Sequence, residues 1–234
     1  MLREIRKKIA DILMMDDLAP FEDETKENEM VEVGEEYEYE EIFTDLFISV
    51  RNLDAFYGDK SIPKAALLLE SFLMESLVLL KKDPDVVYVE SGDDFLKSTS
   101  FTPESEGVMR AFENCVLINT MLDSYNEALK ELDCDQIDAG IALAAYPKEE
   151  KTEPEEGGDE YTDYPEYGID RFDTAERLSW NANTGELDIL AVNDMAYAML
   201  LDEDKLFFET HLSKASQNVE DITVYTGNIV ADED

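Results

Sequence analysis

Residues 42–50 read IFTDLFISV, a nearly continuous apolar run with one aspartate inside it. The run is short and rich in β-branched and aromatic residues, so it predicts a strand buried at the centre of a sheet. The chain on either side supplies what such a strand packs with. Over 61–82, Ser61 can cap a helix, Pro63 fits its first turn, and Ala66, Leu69, Leu73, Leu77 and Leu80 line one stripe. Asp83-Pro84 stops it. VVYV (86–89), the turn ESGDD and FLKSTSF (95–101) predict a β-hairpin. Val108, Phe112, Val116, Asn119 and Leu122 recur at helical steps within 104–131. IDAGIALAAY (137–146) reads as a strand whose small residues imply a close backbone approach.

A helix over 171–181, a strand LDILAV (187–192), a short helix capped by Asn193 and a last strand within 219–227 complete the pattern. The order is β-α-β-β-α-β followed by α-β-α-β. That is an α+β fold with a ferredoxin-like βαββαβ core and a C-terminal αβαβ extension. Two segments stand outside it. Residues 1–41 hold an N-terminal helix over 2–15, with Leu2, Ile5, Ile9, Ile12 and Leu13 on one face, then an acidic linker with an alternating edge strand near Val31–Tyr39. Residues 42–234 form the main domain, interrupted at 148–166 by an acidic loop without apolar periodicity.

Charge decides which partners are excluded. With 58 acidic against 19 basic residues the formal net charge is -39. Nucleic-acid phosphates and an anionic membrane surface both need Lys/Arg neutralisation, so neither is a direct partner. Solubility, high salt or capture of a basic protein partner all fit the acidity. The first residues, MLREIRKKIADILMM, carry scattered charges and no signal-peptide core, and no apolar run has the length of a membrane span. Cys115 and Cys134 form no CxxC pair, which points to a reduced, cytoplasmic protein without a zinc site. His211 is the sole histidine, so histidine-based triads and metal centres are excluded.

Two aspartates stand out as candidate ligands. Asp45 lies inside the apolar run, and Asp93 follows Gly92 at the hairpin turn. In a βαββ unit the first strand and the hairpin are sheet neighbours. Two carboxylates brought together there, roughly 3–6 Å apart, would hold a divalent cation that also binds triphosphate oxygens.

The stretch 42–201 resembles a class III nucleotide cyclase catalytic domain. The resemblance rests on Phe43-Thr44-Asp45-Leu46, the Gly92-Asp93 hairpin, Gly140-Ile141-Ala142-Leu143, Phe172-Asp173-Thr174-Ala175-Glu176-Arg177-Leu178, and the closing IDILAVNDMAYAML. In layout it is most similar to bacterial pyrimidine cyclases of antiphage signalling. The resemblance implies that Asp45 and Asp93 hold two Mg²⁺ or Mn²⁺ ions. It implies that Arg177 stabilises the phosphoryl transition state and that Asp173 stands where the family orients the ribose with Asn. Val89 and Glu166 fall near the base-reading positions and match no purine pattern. The implied assembly is a head-to-tail homodimer acting on a nucleoside triphosphate. Three departures support a second reading, an inactive cyclase-fold protein acting as an acidic interaction module: the bulky Phe47-Ile48-Ser49-Val50 after the first aspartate, the acid at Asp173, and the acidic stretch 148–166 in place of a hairpin. Gly157-Gly158-Asp159-Glu160-Tyr161 resembles a diguanylate cyclase signature but lacks strands on either side.

Overall fold

A computed structural model describes residues 2–15, 42–57, 63–102, 105–147, 170–185, 187–213 and 222–231. In chain order the elements are α1 (Leu2–Leu13), β1 (Ile42–Val50), α2 (Leu53–Tyr57), α3 (Pro63–Lys82), β2 (Val86–Ser91), β3 (Phe95–Thr102) and α4 (Glu106–Glu131). There follow β4 (Ala139–Pro147), α5 (Asp170–Asn181), β5 (Leu190–Asn193), α6 (Asp194–Met199), α7 (Asp202–Lys205), β6 (Glu209–Ser213) and β7 (Ile222–Gly227). The strands form one seven-stranded sheet in the order β2-β3-β1-β4-β5-β7-β6. Its first four strands, antiparallel throughout and joined by α3 and α4, are the expected ferredoxin-like unit.

The apolar run is central as its composition requires. β1 pairs with β3 on one side and β4 on the other, and every β1 residue after Ile42 is buried. Its alternate residues serve two cores. Leu46, Ile48 and Val50 join the large core with α1, α3 and α4. Phe47 faces the other way, against Ala144 of β4 and Ala175 of α5. In the large core Tyr125 of α4 is fully buried, its hydroxyl 2.9 Å from Ser71 Oγ of α3. β4 alternates likewise, with Ile141 and Leu143 on the large core and Ala142 and Ala144 beneath α5. The close approach inferred from its small residues is real. A Cβ on Gly140 would stand 2.0 Å from the Ser179 carbonyl oxygen, so only glycine lets α5 lie this near.

β5 runs parallel to β4, the sheet's one parallel pair among the described residues, and Asn193 caps α6 by accepting from the Ala196 N–H at 3.0 Å. Three short elements escape the sequence pattern: α2, α7 and β6. β6, reading ETHLS, has no apolar alternation and exists because its backbone pairs with β7. The expected strand within 22–41, the acidic loop 148–166 and the Ser61 cap lie outside the described residues.

Candidate functional site

The β-ladder fixes where each candidate side chain stands. Asp45 is opposite Thr99 of β3 and Ala144 of β4. It is 1% exposed, and Thr99 Oγ1 donates to its Oδ1 at 2.7 Å. The hairpin turn lies at the far end of the same strand. There the Val50 N–H donates to the Asp94 carbonyl at 2.7 Å, and the Gly92 N–H closes the turn on the Phe95 carbonyl at 2.8 Å. A Cβ on Gly92 would meet the Phe95 ring at 2.4 Å, so a side chain there would have to displace that ring. Asp93 projects from the tip and is exposed.

Asp45 and Asp93 are therefore not brought together. Five residue steps along β1 separate Asp45 from Val50, the residue level with the turn. At the strand rise that is about 16 Å, far beyond the reach of two short carboxylates sharing a cation. The Phe47 and Phe95 rings, stacked with centroids 5.5 Å apart, fill the same face between them. The expected carboxylate pair is corrected on this ground: the residues present do not fit a shared Mg²⁺ or Mn²⁺. The β1 residue that precedes Val50 is Ser49, fully buried, its hydroxyl unpartnered. Among the described residues no three His, Cys, Asp or Glu side chains converge on a point where a metal could sit.

Val89 faces the large core and is 7% exposed, which gives it a packing place in the structure and no open face toward a base. Glu166 lies outside the described residues. Residue 173 is on α5, one turn before Arg177, which is half-buried. The buried stripe Ala175, Leu178 and Ala182 points α5 at the sheet. At 100° per residue, position 177 falls on the side of the helix turned away from the sheet.

The segment after β1 is bound into the fold. The Arg51 N–H donates to the Asp138 carbonyl at 2.9 Å. Arg51 Nη2 reaches Asp138 Oδ1 at 2.5 Å, and Nη1 reaches the carbonyls of Ser179 and Trp180 at 3.2 and 3.4 Å. A guanidinium on the last carbonyls of α5 satisfies orphan acceptors and opposes the helix dipole. Asn52 donates to the Gln136 carbonyl at 2.8 Å and accepts from the Asp138 N–H at 2.9 Å. Arg51 was missed as a structural determinant in the sequence, where the only signal was a cation placed directly after an apolar strand.

A cavity of about 340 Å³ opens among Asp123, Asn126, Glu127, Asn183 and Asp188. Burial, and then the neighbouring Glu127, push the Asp123 carboxyl above its ordinary value. A wall of this sign repels a triphosphate.

No protein-family model matches the sequence, and no curated protein matches it significantly. Solved structures do resemble the fold. Over 81% of this chain it superposes on 93% of the guanylyl cyclase Cya2, with TM-score 0.58 and 12% identity. Over 80% of this chain it matches 95% of the guanylate cyclase domain of RhGC from Catenaria anguillulae in complex with GTP, with TM-score 0.50 and 18% identity. A bacterial light-regulated adenylyl cyclase matches over 80% of this chain and 90% of its own, with TM-score 0.50 and 15% identity. At these identities the likeness is one of fold: the chain has the α+β architecture of class III nucleotide cyclase catalytic domains.

Proposed function

We propose that this chain uses the nucleotide-cyclase fold as an acidic interaction module for a basic protein partner, without two-metal chemistry. The observation that carries this reading is the register of β1, which leaves Asp45 buried against Thr99 and about 16 Å along the strand from the Asp93 turn. The tied Arg51-Asn52 segment and the net charge of -39 support it further, since both disfavour a bound triphosphate.

A catalytic reading, conversion of a nucleoside triphosphate to a 3′,5′-cyclic nucleotide in antiphage signalling, keeps one observation in its favour. Position 177 points away from its own sheet, as it must if Arg177 serves the Asp93 turn of a second copy in a head-to-tail homodimer. The deciding experiment incubates the protein with each of the four common triphosphates and Mn²⁺ and analyses the products. No cyclic nucleotide, and a Tm that Mn²⁺ moves equally in wild type and Asp93→Asn, is the expected outcome. Cyclic product that disappears in Asp93→Asn and in Arg177→Ala refutes the module and establishes the enzyme.

A further inference from the structure

The stretch from α7 into β6 places apolar side chains in water while holding their neighbours rigidly. Leu201, Leu206 and Phe207 are 51%, 84% and 60% exposed. Around them the backbone is pinned. Phe208 packs on Phe112 and Tyr197, each with ring centroids 5.9 Å away. The Phe207 carbonyl lies so close to β7 that a Cβ on Gly227 would meet its oxygen at 2.6 Å. Lys205, the one lysine in 201–213, folds back: its Nζ donates to the Ala198 carbonyl at 3.0 Å and lies 5.8 Å from the centre of the Tyr197 ring. What faces outward around the apolar pair is mainly acidic, from exposed Asp202, Glu203 and Glu209, with the Asp202 carboxylate 3.7 Å from Lys205 Nζ. Immediately after it, β6 ends the seven-stranded sheet among the described residues.

We infer that the α7–β6 surface is the docking site of the module, and that its occupant is an extended peptide segment alternating basic and apolar residues, added along the β6 edge. The inference rests on the interaction-module reading above. Charge complementarity selects the occupant. Leu206 and Phe207 supply an apolar anchor, the carboxylates supply the counter-charge to Lys or Arg, and the edge supplies backbone hydrogen bonds. A second copy of the chain would bring an acidic rim against an acidic rim, and an anionic lipid surface would meet the same repulsion.

The test uses the full chain and a fluorescent synthetic peptide alternating lysine with valine and leucine. Three companions are compared: one with glutamate for lysine, one with serine for the apolar residues, and one with alternate backbone amides methylated. The alternating peptide should bind wild type and lose affinity at least about tenfold against Leu206→Ser/Phe207→Ser, the scale of removing an interface anchor. Met74→Ser/Val78→Ser, which alters another exposed apolar pair on α3, should bind as wild type. All three companion peptides should bind more weakly. Equal binding of wild type and the Leu206/Phe207 variant, or of the serine-substituted peptide, overturns the docking site and leaves the acidic-module reading standing. Cyclic nucleotide formation would instead sink the module reading. Sedimentation showing a wild-type dimer that the Leu206/Phe207 variant abolishes would assign the surface to a second copy and overturn the peptide.

Discussion

Gly140→Ala tests the contact on which the placement of α5 depends. The added Cβ would begin 2.0 Å from the Ser179 carbonyl oxygen and 3.0 Å from Arg51 Nη1. Restoring van der Waals distance requires the strand and helix to part by about 1–1.5 Å. β4 cannot yield easily, because it is hydrogen-bonded to β1 on one side and β5 on the other. The shift therefore falls on α5, and it loosens the Arg51 bonds to Ser179 and Trp180. Overpacking of this kind costs about 1–3 kcal/mol. For a domain of this size that lowers Tm by about 2–12 °C. A thermal melt followed by circular dichroism measures it. Gly185→Ala is the control: there a Cβ meets nothing within 4 Å, and only the positive φ of 92° is penalised. If Gly140→Ala melts with wild type, α5 does not lie against β4 as described, and the face assigned to Arg177 falls with it.

Other perturbations probe separate parts of the fold. Tyr125→Phe removes the buried hydroxyl bonded to Ser71 and should destabilise by about 1–2 kcal/mol in a urea titration. Native labelling with a thiol reagent should modify Cys134 alone, because burial pushes the Cys115 thiol far up and keeps it protonated and enclosed; unfolding should expose both. The same raised thiol implies a sign for alkaline pH. Its contribution to stability is complete below the ordinary thiol value of 9.0 and is lost as pH rises above it, where the unfolded chain ionises first. Asp123→Asn removes a like-charge neighbour one helical turn from Glu127 and should raise stability by about 0.2–0.5 kcal/mol, seen as a small upward shift in Tm at neutral pH.

The sheet was legible in the sequence wherever side chains carried the pattern. β1 announced itself by apolar residues on both faces, and α3 and α4 by stripes at helical spacing, since burial forces those periods. β6 was silent because its pairing is made by backbone groups that every residue shares. The spacing of the two aspartates was illegible for a different reason. Alternation assigns a residue to a face but says nothing of its height along the ladder. Asp45 and the Gly92-Asp93 turn each looked correct alone. Only the pairing of Val50 with Asp94 showed that the turn meets the other end of the strand. The glycine at 140 succeeded because steric exclusion is local and leaves its mark in residue size.

The parallel seam between β4 and β5 has a bearing on how the chain is made. β1, β2, β3 and β4 all lie before residue 148, so the ferredoxin-like unit with α3 and α4 can close while the rest is still being synthesised. Until β5 arrives, β4 presents its AGIALAA backbone as an open, uncharged edge able to pair with another strand. The residues that emerge next are the acidic stretch 148–166. Like charge on that stretch would oppose association of nascent chains through the open edge until the seam is filled.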